Sequence, residues 1–364
     1  MKKTVMTLDA GGTNFVFSAF RDAVEVVDPI RVSVPQQKDG KTLEDVLNAI
    51  IEGFKLVESK LEEKPVAISF AFPGPAEYEL GIIGDLQNLP LFRGGVALGP
   101  MLENIFNIPV FINNDGDLFA YGEAIGGLLP FVNEKLEEVN SPKRYNNLFG
   151  VTLGTGFGGG IVSNGMIYPG DNSAQGEINR FNDRFNPDYS IEESTSIKAI
   201  KRLYSEYSGV NDDSIEPKDV YDIALGNVPG NKEAALKTFK DFAVAVGCSL
   251  ANAASLTDGL VVIGGGLANA YPLFLDNVVA EMNKPFKTNA GDNITRMEVE
   301  VYNLENELDM KEFLKGSPNT VKVPFSDKTI TYDSKKRIGV GISKLGTEKA
   351  ISLGAYYYAI NKVK

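Results

Sequence analysis

The sequence predicts an α/β protein of two lobes that face one another across a cleft. Three observations carry that prediction. The chain has 364 residues, more than one compact core ordinarily organises, so it is expected to divide. A strand, a Gly/Thr turn and a second strand occur near residues 5–20 and again near residues 148–163, the mark of an internal duplication. A third glycine turn, Gly264-Gly265-Gly266, closes a further buried apolar run.

Val5 to Ala10 is a short apolar run that ends in Asp9-Ala10-Gly11-Gly12-Thr13-Asn14, and Phe15 to Phe20 follows at once. Two strands joined by a Gly-Gly turn fit this pattern. Thr42 to Glu62 is predicted helical. Leu43, Val46, Leu47, Ile50, Ile51, Phe54, Val57 and Leu61 share one face, and Thr42 with Asp45 forms a capping box. Val66 to Phe72 reads as a buried strand stopped by Pro73-Gly74-Pro75, and Val110 to Asn113 as another that runs into Asn114-Asp115. The second half opens with a strand at Leu148 to Leu153, the glycine run Gly154 to Gly160, and a strand at Ile161 to Ser163. Helices are expected over Lys232–Leu256 and Thr347–Asn361, and a strand over Leu260–Ile263. Residues 126–147 and about 290–340 read as insertions, the latter alternating and charged like an exposed β-ribbon. Either serves as surface elaboration or as an oligomer contact. The expected division is a smaller lobe of residues 1–115 plus about 345–364, and a larger one of 116–344.

Composition excludes several chemistries. With no histidine, His-based triads and His general bases are ruled out. One cysteine, Cys248, permits no intrachain disulfide and, without histidine, no Cys/His zinc site. Any metal is then held by oxygen, which suits magnesium. The formal charge of −12 disfavours a nucleic-acid partner. No apolar run reaches the length of a membrane span. Asp9 breaks the apolar stretch after Met1-Lys2-Lys3 too early for an export signal, so a cytoplasmic location is expected.

The glycine turns have a physical use. In Asp9-Ala10-Gly11-Gly12-Thr13, the glycines expose backbone N–H groups and Thr13 adds a hydroxyl, so the turn can cradle a polyphosphate while Asp9 orients a magnesium ion through water. The same residues also suit a plain hairpin. Gly154-Thr155-Gly156-Phe157-Gly158-Gly159 satisfies G-x-G-x-x-G, and Glu177 lies downstream as a dinucleotide fingerprint would ask. That fingerprint needs a helix directly after the glycines. Strand and turn follow here, so a dinucleotide site is discounted. No Walker A loop occurs. Gly264, Gly265 and Gly266 allow close approach to a flat ring or a ribose, and equally suit a tight strand-to-helix connection.

The three glycine turns in this order, with Asn114-Asp115 between the first two, resemble the ROK family (repressors, open reading frames and sugar kinases) of the actin-like ATPase superfamily, over roughly residues 4–290 and 339–360. The resemblance implies a two-lobed actin-like, ribonuclease H-like fold with an interlobe cleft. It implies phosphate binding by Asp9, Gly11, Gly12 and Thr13 and by Gly154, Thr155 and Gly156, and adenosine binding by Gly264, Gly265 and Gly266. It makes Asp115 the general base for a sugar hydroxyl, with Asn114 fixing a neighbouring hydroxyl through both donor and acceptor. Asp117 stands in reserve. Gly176-Glu177-Ile178-Asn179-Arg180 is similar to the family's sugar-binding Gly-Glu-x-Gly-His, with Arg180 in place of the His and Asn179 in place of a Gly. Glu192 matches a second sugar-binding glutamate, and Gly74 is placed with the substrate contacts. The cysteines of the family's zinc motif are missing, so a zinc-free member is expected. The implied activity is ATP- and magnesium-dependent phosphorylation of a hexose or N-acylhexosamine, often at O6 in the resembling kinases. The implied partners are sugar and nucleotide, in a homodimer. The alternative is a non-catalytic sugar sensor. The family's repressors carry a DNA-binding module ahead of the first phosphate motif, for which no room is expected here.

Overall fold

The structure is a computed structural model that describes residues 3–10, 14–74, 76–84 and 90–363. The first sheet is built from β1 (Thr4–Ala10), β2 (Asn14–Arg21), β3 (Val24–Ser33), β4 (Ala67–Ala71) and β5 (Val110–Asn113), in the order β3-β2-β1-β4-β5. β1 to β3 form an antiparallel meander, and β4 and β5 continue the sheet in parallel to β1. Helix α1 (Leu43–Glu58) covers one face. Its amphipathic spacing buries Val46, Ile50, Phe54 and Val57 against Phe17, Ile68 and Phe70. Thr42 caps it, and the reciprocal Thr42–Asp45 bonds of the expected capping box are both formed. The helix stops at Glu58, short of the expected Glu62.

The second sheet repeats the plan. It contains β6 (Leu148–Leu153), β7 (Phe157–Ser163), β8 (Met166–Ile167), β9 (Leu260–Gly264), β10 (Glu300–Asn303) and β11 (Arg337–Ile342), in the order β8-β7-β6-β9-β11-β10. Again an antiparallel meander leads, and parallel strands follow. β10 adds an edge that the first sheet lacks. The long helix α3 (Lys232–Thr257) and helix α4 (Tyr271–Asn283) cover one face, through Phe239, Phe242, Val246 and Phe274 on Val151, Val261 and Ile263.

Two helices lie between the sheets. α2 (Asp115–Gly126) packs on β6 and β7, and α5 (Thr347–Lys362) packs on β1, β4 and β5; the two then pack on each other. Their crossing is close because it is made of glycine. A Cβ on Gly122 would strike the Ala350 carbonyl, and one on Gly354 would strike that of Leu118. At the far end of α2, Glu123 is fully buried. Its carboxylate accepts hydrogen bonds from the Leu128 amide at 2.8 Å, the Leu345 amide at 3.0 Å, the Lys344 amide at 3.2 Å and the Ser343 hydroxyl at 2.5 Å. Three of these donors sit in the turn that leads from β11 into α5.

Both expected insertions are smaller than the sequence implied. Within 126–147, helix Leu128–Glu138 buries Leu128, Val132 and Leu136 in the core formed by Phe119, Leu148 and Leu260. The spacing of four was obscured by the intervening Pro130, Asn133 and charged residues. Within 290–340, the exposed ribbon is Pro318–Lys322 paired with Thr329–Asp333, and a shorter exposed pair joins Asn293–Ile294 to Phe286–Lys287. β10 and the start of β11 belong to the main sheet, and Asp333 anchors the ribbon through a fully buried ion pair with Arg337 at 2.7 Å.

Removing the Glu123 carboxylate strands several buried donors at once. Glu123→Ala is expected to lower unfolding stability by on the order of 3 kcal/mol, read from denaturant titration. A change within the error of the titration would show that this network does not hold the α5 turn.

Candidate functional site

Three strands of the first sheet end side by side. In register, Asp9 of β1 stands opposite Ala71 of β4, and Ala71 opposite Asn113 of β5. The chain then turns at Asn114 and starts α2 with Asp115. Asn114 is the N-cap, and its Oδ1 accepts the Gly116 amide at 2.8 Å. That oxygen keeps one lone pair beyond the cap, and Asn114 Nδ2 faces the Tyr78 hydroxyl at 3.4 Å. Tyr78 donates in turn to the Phe72 carbonyl at 2.9 Å.

Asp115 and the glycine turn of the second sheet open on one cavity of about 1130 Å³. Its walls include Gly74, Asn114, Asp115, Gly154, Thr155, Gly156, Glu177, Arg180 and Glu192, nine of the residues singled out from the sequence. Tyr78, Asn172, Ser173 and Asn179 line it too. Asn179 belongs to the motif quoted from the sequence; sequence reasoning missed the other three because Tyr78 lies in a single 3₁₀ turn, Tyr78–Leu80, and Asn172 and Ser173 in irregular loop, where no periodicity marks a site. Glu192 sits behind the glycine turn. One of its oxygens accepts the Phe157 amide at 3.0 Å.

Other expected residues lie elsewhere. Asp9, Gly264, Gly265 and Gly266 are not on the cavity wall. Gly264 abuts the Phe119 ring, Gly265 abuts the Leu153 backbone, and only Gly266 faces open space. The Gly265 amide donates to the Thr347 hydroxyl at 2.8 Å. Gly11, Gly12 and Thr13 lie outside the described residues. The second glycine run also divides differently from the expectation. Gly158, Gly159 and Gly160 are strand residues of β7, not turn.

Those strand glycines let three segments meet. A Cβ on Gly159 would come within 2.5 Å of the Gly176 carbonyl, and one on Gly116 within 2.5 Å of the Gly159 carbonyl. One on Gly160 would strike the Gly116 carbonyl. Gly176 itself has φ of 75°, open to glycine at little cost. The start of α2, the strand β7 and the loop before Glu177 therefore touch backbone to backbone.

The carboxylates of the region repel one another. Cleft solvent reaches Asp115, yet protein atoms enclose its other sides; this loss of water raises its pKa, while the Gly116 amide at 2.9 Å pulls it back. For Asp9, partial loss of water comes first, and the charges of Glu348 and Asp115 then raise its pKa against the opposing pull of Arg31. Asp117 is 8% exposed. Burial holds its carboxyl up at about 7; the Gln175 amide opposes this, and Asp115 and Glu177 reinforce it.

Two sheets of matching order around such a cleft define the class: the actin-like ATPase fold, shared with the solved sugar kinases that this chain resembles. The chain belongs to the ROK family, whose family model matches residues 5–307. It is similar to the glucokinase of Parabacteroides distasonis, whose crystal structure superposes with a TM-score of 0.90 at 50% identity, covering 99% of this chain and 98% of that one. A ROK family glucokinase from Streptomyces griseus, solved with glucose and AMPPNP, shares the fold with a TM-score of 0.62 at 17% identity, over 97% and 98% of the two chains. Among curated relatives, the N-acetyl-D-glucosamine kinase of Vibrio cholerae is 25% identical over 78% of this chain and 94% of its own length. The glucokinase of Halalkalibacterium halodurans is 27% identical over 72% and 80%. By class the chain is a sugar kinase. No described helix is long and apolar enough to cross a membrane.

Asp117 has a consequence for stability. Its carboxyl titrates at about 7 in the folded protein against an ordinary 3.8, so between these values the folded state holds a proton that the unfolded state has lost. Stability from this group falls as pH rises through that window and stays reduced above it. Asn at this position does not titrate. The melting temperature of Asp117→Asn relative to the unaltered protein is therefore expected to rise from pH 4 to pH 8; a flat difference would contradict the assignment.

Proposed function

We propose that the protein transfers the γ-phosphoryl group of ATP to a hydroxyl, O6, of a hexose or N-acylhexosamine, with Asp115 as general base. The observation that carries the reading is the shared cavity. One carboxylate at a helix start faces a glycine turn of the opposite sheet, with Glu177, Asn179 and Arg180 beside both.

The chemistry follows from those positions. A sugar hydroxyl attacks phosphorus well only as its proton departs, and Asp115 is the carboxylate placed to take it. Its pKa is raised by loss of water, which makes it a stronger base than an ordinary aspartate. Glu177 accepts from sugar hydroxyls, and Arg180 donates to a sugar oxygen. Asn114 contributes its Nδ2 and the remaining lone pair of its Oδ1. Glu192 acts on the sugar with the oxygen that Phe157 leaves free, and Gly74 leaves room for it. The amides of Gly154, Thr155 and Gly156 receive phosphate oxygens, as do those of Gly11, Gly12 and Thr13, and Gly264 to Gly266 take the adenosine.

A divalent cation held through water beside Asp9 would offset the charges of Glu348 and Asp115, which together with loss of water raise the pKa of that carboxylate. Magnesium there would neutralise phosphate charge. The two sheets with their helices act as lobes, residues 1–115 plus 345–364 and residues 116–344, which close over the substrates and exclude water. A homodimer in the cytoplasm, without zinc, completes the reading.

The test is a coupled assay with magnesium-ATP over glucose, N-acetyl-D-glucosamine and related hexoses. At least one sugar should be phosphorylated. Asp115→Asn is expected to cut kcat by about 100-fold or more with the fold intact by circular dichroism. The base must be ionised, so kcat/KM should fall toward acid with a midpoint above the ordinary aspartate value of 3.8. Full activity in Asp115→Asn would remove Asp115 from its role. Sugar binding without turnover on any sugar would favour the sensor.

A further inference from the structure

Asp117 and Gln175 touch neither wall nor mouth of the cavity, yet they join its two halves. Asp117 is in the first turn of α2, two residues beyond Asp115. Gln175 is in the loop of residues 170–177, two residues before Glu177, and the same loop brings Asn172 and Ser173 to the cavity. The Gln175 side-chain amide donates to Asp117 Oδ1 in a very short contact.

The arrangement is costly in stability. Asp117 is a carboxylate almost out of solvent, and Gln175 Oε1 is buried with no hydrogen-bond partner among the described residues. An apolar pair of similar size would avoid both penalties. Packing alone does not select this pair. Its geometric effect is to add a directional bond to α2 beside the Gly159–Gly176 contact with β7, so that the loop is held at two points instead of one. A loop held at one point can swing. Held at two, it presents Glu177 at a set position relative to Asp115.

We propose that Asp117 and Gln175 are a positioning pair that locks the 170–177 loop to α2 and so pre-forms the sugar side of the cavity. This deepens the kinase reading and rests on it for the identity of the ligand. If the loop is competent only while locked, breaking the bond lowers the competent fraction and weakens apparent sugar affinity in proportion. Sugar that does bind still meets Asp115, so kcat changes little.

The experiment compares Gln175→Ala, Asp117→Ala, the double variant and Asp117→Asn, which keeps an oxygen to accept the Gln175 amide. Hydrogen–deuterium exchange of the ligand-free protein should show faster exchange of the 170–177 peptide in Gln175→Ala and near-unaltered exchange in Asp117→Asn. Sugar KM, with glucose and N-acetyl-D-glucosamine as probes, should rise about 10-fold in either alanine variant and no further in the double one, with kcat within about 3-fold and ATP KM unmoved. Unchanged exchange of that peptide in Gln175→Ala overturns the proposal, whether or not the protein turns over sugar. So do additive effects in the double variant, or equal shifts in sugar and ATP KM. Failure of the kinase reading looks different: the exchange result stands, and no sugar is phosphorylated by the unaltered protein. Should Asp117→Ala not fold, Gln175→Ala and Asp117→Asn still decide.

Discussion

The site depends on a place where three backbones meet without side chains between them. Gly116 starts α2, Gly159 and Gly160 lie in β7, and Gly176 precedes Glu177. Each of these contacts is closer than a Cβ permits. Asp115 and Glu177 are the immediate neighbours of two of the four glycines, so their separation is set by main-chain contact and not by adjustable side-chain packing. Protein interiors resist compression, and a junction of this kind transmits position with little slack. The second close crossing, Gly122 and Gly354 at Ala350 and Leu118, ties α2 to α5 and hence to the first sheet. One helix therefore carries Asp115 at its start, rests on the second sheet along its length, and grips the first sheet through α5.

Much of this was legible in the sequence, and for identifiable reasons. Periodicity and strong punctuation found α1, β4 and β5, since a capping box, a Pro-Gly-Pro stop and an Asn-Asp turn act on the local backbone. The duplication was visible as a repeated strand–turn–strand and appears as two sheets of matching order. What escaped notice depended on distant contacts. Gly158 to Gly160 looked like more of a turn because nothing in the sequence says that Gly116 and Gly176 press on that strand. β10 and the Leu128 helix were taken for insertions because their apolar residues are few and widely spaced, and only a completed core shows that they are inside.

The cavity residues divide in the same way. Asp115, Glu177, Arg180 and Glu192 were found by resemblance, and the structure gathers them around one space. Tyr78 and Gln175 were invisible. Each acts through a single long-range bond, to Asn114 and to Asp117, and a single bond leaves no pattern in neighbouring residues. The capping role of Asn114 was likewise hidden. Its residue type suits both a helix cap and a ligand contact, and only the geometry assigns its oxygen to Gly116.

The electrostatics explain how an acidic protein can host this chemistry. A net charge of −12 repels a nucleotide at long range, but that repulsion is screened over about 8 Å in physiological salt. Inside the cleft the decisive fields are local. The start of α2 presents amide N–H groups and the positive end of a helix, and the Gly116 amide lowers the pKa of Asp115 against the loss of water that raises it. Two opposed effects thus meet on one carboxylate: loss of water strengthens it as a base, and the amide favours its charged form. Lengthening the side chain would move the charge away from that amide. Replacing Asn114 would loosen the cap that fixes the amide's direction. The balance requires both residues in that order, at the end of that strand, and the glycine junction behind them keeps the balance in place.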